Sequence, residues 1–266
     1  MPGRSHTIIS TQRVSPDGVT PGERVVPVEM PIAISFLGLG YAVMMATPAD
    51  LKDFAVGFAL AERLIGGPQD IEQISVEAGD GGMLVNLELV PERHDGLFSR
   101  VRHRVGESSC GICGIANLEQ ALRPLPRLAP PPRVERAVLF SALDTIRDHQ
   151  PLNRQTGAVH AAALFASDGK LVAVREDVGR HNAFDKLVGH CLREGVDPGA
   201  GFVLLTSRCS FELVEKAALA GVSLLVTVSA PTSLAVERAR EAGLTLIALA
   251  RKDEMLLIVD PHQLFA

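Results

Sequence analysis

Residues 201–250 read GFVLLTSRCSFELVEKAALAGVSLLVTVSAPTSLAVERAREAGLTLIALA. Three apolar runs, GFVLLT, VSLLVTV and LTLIALA, alternate with SFELVEKAALAG and TSLAVERAREAG, whose apolar residues recur at helical spacing. Gly221 and Gly243 stop the two helices. Apolar runs alternating with amphipathic helices predict a βαβαβ unit with a parallel sheet, and so an α/β fold. In such sheets ligands bind beyond the carboxyl ends of the strands. Those ends are TSRCS (206–210), SAPTS (229–233) and RKDE (251–254). Hydroxyls and backbone N–H groups at helix starts suit an anion such as a phosphate, and Arg208, Arg251 and Lys252 add charge. Taken singly, Ser210, Thr232 and Ser233 need be no more than helix caps. Three such loops on one edge put binding and capping on level terms.

Upstream, VHAAALFASDGKLVAV reads as a hairpin turning at Asp168-Gly169, and VERAVLFSALDTIRDHQ as a helix. The hairpin leads into REDVGRHNAFDK (175–186), where charges of both signs and His181 crowd a strand-to-helix turn. Charge runs are mostly solvated faces, yet such turns are where functional groups are mounted. His181 and Asp177 are the polar guides expected to face a ligand there, and His160 is read as a satisfied core histidine. The competing reading is that this stretch only ties the two halves of the chain together.

RPLPRLAPPPR (123–133) holds five prolines and cannot continue a helix or a central strand. A linker over 124–133 therefore divides an N-terminal α+β domain (25–123) from a C-terminal α/β domain (134–266), after a loose arm over 1–24. In the first half, VVPVEMPIAISFLGLGYAVMMATP predicts strands around a glycine turn. TPADLKDFAVGFALAERLIGG predicts a helix capped by Thr47, with Pro48 in its first turn and Gly66 at its stop. ISVEAGDGGMLVNLELV predicts a hairpin turning at Gly79–Gly82, LFSRVRHRVG a further strand, and IANLEQAL a short helix.

The 266 residues are 47% hydrophobic but only 4% aromatic, so the core is aliphatic. A net charge of −5 argues against a general nucleic-acid binder. Four cysteines without a framework pattern argue against a disulfide scaffold and for a reducing compartment. The first residues lack a signal-peptide core, and no apolar run is long enough to span a bilayer. A cytoplasmic protein is the expectation.

GESSCGICG (106–114) carries Cys110 and Cys113 between glycines. A structural zinc site needs four ligands, and Cys191 and Cys209 are isolated. The deaminase pattern H-x-E…P-C-x-x-C is missing, since Ser109 precedes Cys110 and Ala161-Ala162 follow His160. A thioredoxin-like exchange motif would need a βαβ context, and a basic segment precedes the pair instead. The leading reading is a nucleophilic thiolate on an exposed loop, activated by Arg100, Arg102 and Arg104 and a following helix N-terminus.

The ordered set VMMATPADLKDFAVGFALAE, SSCGICG, TGAVHAAAL, EDVGRHNAFDKLVG, TSRCSFELVEKAALAGV and SAPTSLAVERARE resembles the FdhD family of formate dehydrogenase accessory sulfurtransferases, from about Val28 to His262. The resemblance implies a sulfur carrier that accepts sulfur from a cysteine desulfurase as a persulfide. It passes that sulfur to the molybdenum (or tungsten) bis(molybdopterin guanine dinucleotide) cofactor before insertion into formate dehydrogenase. By position, Cys110 matches the persulfide-forming cysteine and Cys113 its loop partner. The cofactor-binding stretch falls on Leu249, Ala250, Arg251, Lys252, Asp253 and Glu254, to which the strand-end reading adds Ser207, Arg208 and His181. Relatives carry glycines and an aromatic where this chain has ALARKDEMLLIV. The resemblance also implies a cytidine-deaminase-like three-layer fold without a structural metal, and a homodimer. A cofactor-binding chaperone that moves no sulfur is the runner-up, and a disulfide oxidoreductase comes third.

Overall fold

The computed structural model describes residues 4–106 and 123–265. The segment expected to be a loose arm instead pairs with itself. β1 (His6–Ser15) and β2 (Gly18–Pro27) run antiparallel, with Ser15 opposite Gly18 across a Pro16–Asp17 turn. β-Branched Thr7, Ile8, Ile9, Thr11, Val14, Val19 and Thr20 favour the extended backbone, and Pro-Asp-Gly is turn chemistry. Scattered polar and glycine residues masked both signals. At the hairpin's base, Arg24 Nη2 donates to the Thr156 carbonyl at 2.7 Å.

β3 (Met30–Phe36) and β4 (Leu39–Ala46) form the expected hairpin, turning at Leu37 and Gly38, both at positive φ. α1 (Leu51–Ala61) follows, but Thr47 does not cap it. The helix begins at Asp50, in a left-handed conformation without a side-chain cap, and it ends before Gly66. Thr47 is drawn away because its Oγ1 accepts from the Val178 N–H and its carbonyl from Lys186 Nζ. β5 (Ile71–Gly79) and β6 (Gly82–Leu89) complete a four-stranded sheet of order β4-β3-β6-β5, in which β3 and β6 are parallel. One face, with Ile32, Ile34, Phe36, Val85, Leu87 and Leu89, shares a buried core with Phe54 and Phe58 of α1.

LFSRVRHRVG is not a strand; it lies in helix α2 (His94–Gly106). Leu97, Val101 and Val105 recur every four residues, and that period outweighs the alternation of arginines. Residues 123–133 have no regular secondary structure, as five prolines demand.

The second half runs α3 (Arg136–Asp148), α4 (Pro151–Thr156), β7 (His160–Ala166), β8 (Leu171–Asp177) and α5 (Arg180–Arg193). The predicted alternation follows as β9 (Gly201–Leu205), α6 (Phe211–Leu219), β10 (Leu224–Thr227), α7 (Ser233–Ala242) and β11 (Thr245–Ala248), then β12 (Leu256–Val259). The six-stranded sheet has the order β12-β11-β10-β9-β7-β8; β9, β10 and β11 are parallel, and β7 is antiparallel to both neighbours. Every residue of β9, β10 and β11 is buried, because helices cover both faces. Leu139, Leu143 and Ile146 of α3 cover one face. α5, α6 and α7 cover the other, and their core runs on through α1 into the four-stranded sheet. The halves flanking the proline-rich stretch thus share one core.

Two glycines make that junction tight. A Cβ on Gly57 of α1 would lie 1.9 Å from the Asp185 carbonyl oxygen, and one on Gly189 of α5 would lie 1.8 Å from that of Asp53. The backbones touch where any side chain would hold them apart.

Candidate functional site at the carboxyl edge of the sheet

β8 is parallel to β9, so four strand ends open on one edge: those of β8, β9, β10 and β11. The antiparallel β7 brings its first residue, His160, to the same edge. A cavity of about 520 Å³ lies there. Thr206, Val228, Ala250, Arg251, Lys252 and Asp253 line it from the strand ends, and Arg147, Gln150 and Asn153 from the junction of α3 with α4. Leu143, Ile146 and Val159 give it apolar walls. A volume of this order at the strand ends of an α/β sheet is a usual setting for a small-molecule site, here with a lining more polar than apolar.

The stretch 249–254 is shaped to enter this cavity. Leu249 takes a positive φ of 51°, and the Arg251 N–H donates to the Glu254 carbonyl at 2.8 Å, closing a tight loop. Ala250, Arg251, Lys252 and Asp253 therefore line the cavity, whereas Leu249 and Glu254 serve the loop itself. Arg251 Nη1 donates to the carbonyls of Val228 and Ala250, leaving its planar charge at the rim. Lys252 Nζ reaches Asp144 at 2.7 Å, and this bond holds the Asp144 carboxyl below its usual range.

Ser207 is buried, with its hydroxyl on the Arg208 carbonyl at 3.0 Å. Arg208 is exposed, and neither residue lines the cavity. Burial, reinforced by the nearby Arg180 and Arg208, pushes His160 below the usual imidazole range. His160 is thus half-buried and neutral in the cavity wall, not the core residue its sequence context suggested. Thr232 caps α7, its Oγ1 accepting from the Ala235 N–H at 3.3 Å. α5 and α6 start without side-chain caps, at Gly179 and Ser210. Uncapped helix N-termini beside Arg180 and Arg208 are suited to an anion.

The charged stretch 175–186 divides in two. Glu176 accepts from the N–H groups of Leu152 and Asn153 at 2.9 and 2.8 Å, pinning the start of α4 beside the cavity; burial raises its carboxyl above the usual range. Asp177, expected to face a ligand, is fully buried. It accepts from the Thr47 N–H at 3.0 Å, the Gly179 N–H at 2.8 Å and Asn182 Nδ2 at 3.0 Å. It is a structural tie between the halves, because every lone pair it has is spent on the protein. His181 does face solvent, but in a second cleft of about 410 Å³ between α1, α5 and α6. Its Nε2 lies 2.8 Å from Glu212 and 3.1 Å from Ser210 Oγ, and its bond to Glu212 holds that carboxyl below its usual range.

Cys110, Cys113 and the helix expected at IANLEQAL lie outside the described residues. The residues flanking that segment are anchored at the second cleft. Arg100 of α2 donates to the Glu62 carbonyl and pairs with its carboxylate, so its charge is engaged at Glu62. Arg238 donates to the Arg123 carbonyl and pairs with Glu215 at 2.6 Å, and Arg63 donates to the Pro124 carbonyl at 3.1 Å. Glu62 and Glu215 both line the cleft that holds His181. The other two cysteines are buried, and burial pushes their thiols up, to about 11 for Cys191 and about 12 for Cys209.

Gln150, Asn153 and Arg147 are the cavity residues that sequence reading missed. Their only signal is the polar break at DHQPLN between two helices, and nothing in that string places it over a strand edge.

A mixed α/β architecture with a ligand-sized cavity at the carboxyl edge of parallel strands defines the class: an α/β protein with a candidate strand-end binding site. The chain belongs to the FdhD/NarQ family, whose sequence profile matches residues 27–265. It is 45% identical over 240 residues to the sulfur carrier protein FdhD of Xanthomonas campestris, covering 90% of this chain and 85% of that one. It is 46% identical over 237 residues to the FdhD of Agrobacterium fabrum, covering 88% and 86%. The fold matches the crystal structure of a candidate formate dehydrogenase accessory protein from Desulfotalea psychrophila with a TM-score of 0.79, at 24% identity over 98% of this chain and 99% of that one.

Proposed function

We propose that this protein is a sulfur carrier serving formate dehydrogenase, with Cys110 as the persulfide-forming residue and Cys113 as its loop partner. The observation that carries the reading is likeness across 90% of the chain to proteins named as sulfur carriers, with both cysteines inside the span of the family match. In the first step the Cys110 thiolate attacks the outer sulfur of a cysteine desulfurase persulfide, and the desulfurase thiolate leaves. The Cys113 thiolate then attacks the inner sulfur on Cys110, closing a Cys110–Cys113 disulfide, and the outer sulfur leaves at sulfide level for a molybdenum bis(molybdopterin guanine dinucleotide) substrate before that cofactor enters formate dehydrogenase. A cellular thiol reductant reopens the disulfide. Cys191 and Cys209 are poor competitors, since only the thiolate is nucleophilic and burial disfavours it at both.

The cavity lined by Ala250–Asp253 is proposed to hold a guanine nucleotide end of that substrate. Its apolar wall suits the base, and Arg251 at the rim suits a phosphate. The six-stranded layer with helices on both faces supports a cytidine-deaminase-like reading of the fold, and a cytoplasmic homodimer completes the proposal. Among the described residues no helix is long and apolar enough to cross a membrane.

The test is mass spectrometry of the reduced protein after incubation with a cysteine desulfurase and cysteine. One added sulfur, lost in Cys110→Ala and kept in Cys191→Ala and Cys209→Ala, is the expected result. Sulfur that stays bound in Cys110→Ala refutes the assignment. Nucleotide binding without any sulfur uptake marks the protein as a cofactor chaperone instead.

A further inference from the structure

We infer that the outer face of the four-stranded sheet is the docking surface for the cysteine desulfurase, which meets it with a basic, apolar surface of its own. The inference rests on the proposal that this chain takes sulfur from such an enzyme, and it adds where that enzyme sits.

The side chains of this sheet divide by register. Ile32, Ile34, Val85 and Leu87 face the core shared with α1. On the opposite face Val43, Ala33, Leu84 and Glu77 form one row across the four strands, and Ser35, Asn86 and Ser75 lie in the next. Val43 and Leu84 stand on either side of Ala33, whose small side chain, with those of Ser35 and Ser75, leaves a trough of about 720 Å³. Val43 is 66% exposed, Met45 49% and Leu84 47%, and solvent-facing apolar side chains grouped in this way mark an interaction site. β4, which carries Val43 and Met45, is also an edge strand. Exposed edges are ordinarily blunted by lysine, proline or an inward charge, and LGYAVMMA has none of these. The strand is made to be covered.

Charge says by what. β3, β4, β5 and β6 with their two hairpin turns hold Glu72, Glu77, Asp80 and Glu88, and no lysine, arginine or histidine. Glu77 lines the trough, and Glu88 accepts from Asn86 Nδ2 at 2.6 Å; neither is in an ion pair among the described residues. A second copy of this chain would set one acidic face against another, which like charges oppose. A basic partner is drawn to the face from a distance and held in register on it.

Place says which basic partner. β4 turns Val43 to the trough, while its Ala42 and Met44 line the cleft that holds His181. Glu62 and Glu215 of that cleft engage Arg100 and, through Arg238, the Arg123 carbonyl, the two flanks of the segment carrying Cys110. A protein seated on the trough that reaches round this one strand arrives at the cleft. The sulfur donor must arrive there, because its persulfide has to meet Cys110. Apo formate dehydrogenase need not, since it receives the finished cofactor.

The experiment is surface plasmon resonance between the full-length protein and the cysteine desulfurase of the same organism, with persulfide loading measured at limiting desulfurase. Val43→Arg should weaken binding and slow loading at least about tenfold, the effect of spoiling a central apolar contact. Glu77→Lys should weaken binding about fivefold, mainly through slower association, and should flatten the fall of association rate with salt. Val172→Arg, at another exposed apolar residue, on β8, should bind as the wild type does. Glutathione persulfide hands sulfur to Cys110 without a protein surface and should load all three variants at the wild-type rate. A thermal melt accompanies each variant; if Val43→Arg fails to fold, Glu77→Lys carries the test alone. Wild-type affinity for the desulfurase in the folded face variants overturns the inference, as does a loss confined to apo formate dehydrogenase binding or to self-association. A wild type that loads from glutathione persulfide but does not bind the desulfurase overturns it too. Wild-type protein that takes sulfur from neither donor refutes the carrier reading beneath it.

Discussion

Lys186 and Asp177 form an ion pair 2.6 Å long in which neither side chain is exposed to solvent. Lys186 also donates to the Thr47 carbonyl at 2.9 Å, while Asp177 accepts from the Thr47 N–H, so one threonine of the first half is gripped by both members of a pair in the second. Asp177 closes β8 and Lys186 lies on α5. The pair therefore sets the turn from which Arg180 and His181 project.

A charge buried this deeply is tolerated only with its partner present. Lys186→Met should cost about 3–5 kcal/mol, because it strands Asp177 without a counter-charge. Adding Asp177→Asn should recover much of that loss, since the carboxamide still accepts one bond and needs no cation. Urea denaturation of the single and double variants measures both values. A double variant no more stable than Lys186→Met would refute the coupling.

Gly189→Ala tests the helix crossing. The added methyl would meet the Asp53 carbonyl at 1.8 Å, so α1 and α5 must separate and every pair anchored on Asp53 must move. Overpacking of this kind costs about 1–3 kcal/mol, occasionally more. Gly96→Ala is the control, having nothing within 4 Å of its added Cβ. Equal melting temperatures for the two variants would show that the crossing yields without cost.

These tests also mark what the sequence could convey. The stretch 201–250 was legible because fully buried strands and amphipathic helices differ in period, and both periods are strong there. β1 and β2 were not, since a hairpin with most of its residues in water carries no burial pattern, only β-branched residues around Pro-Asp-Gly. Thr47 looked like a cap because local spacing cannot show that Val178 and Lys186, more than 130 positions away, claim its polar atoms first. The strand-end loops of the site were legible for the same reason as the strands. Gln150 was not, because its place over the edge is fixed by Glu176 capping α4, a contact between residues that no motif links.

Burial makes a sharp statement about thiol chemistry. With thiols at about 11 and about 12, Cys191 and Cys209 should remain unmodified by iodoacetamide at pH 8 in the folded protein. Both should be alkylated once it is unfolded in urea, where a free thiol returns to roughly 8.5. Peptide mapping before and after denaturation reads this directly. Alkylation of Cys209 in the native state would show that α6 opens far more readily than its packing implies.

His160 gives the stability a pH dependence of known sign. Its folded value lies below the unfolded reference of 6.5, so the unfolded chain binds the proton first as pH falls. Stability from this residue is full above about pH 6.5 and declines below it, through the window down to the folded value. His160→Asn should flatten that part of the profile while leaving the plateau at pH 8 nearly unchanged. Denaturation midpoints taken between pH 5 and 8 for both proteins, and subtracted, check it. A wild-type-minus-variant midpoint that falls as pH rises from 5 to 8 would invert the sign and refute the assignment.

His181 and Arg251 belong to different cavities, and that separation divides the two halves of the proposed reaction. Arg251 lies at the strand-edge cavity, whereas His181 lies with Glu62, Glu212 and Glu215 in the cleft to which Arg100, Arg123 and Pro124 are fixed. Those anchors flank the segment that carries Cys110 on both sides. Sulfur handling is therefore expected near His181, and nucleotide binding near Arg251. His181→Ala should load persulfide and bind GDP as the wild type does, yet activate apo formate dehydrogenase less. Arg251→Ala should load persulfide normally but bind GDP more weakly, losing a cation at the rim. If His181→Ala instead weakens GDP binding as strongly as Arg251→Ala does, the two clefts act as one site and the division is wrong. If His181→Ala activates like the wild type, its contacts with Glu212 and Ser210 serve only to hold α5 against α6.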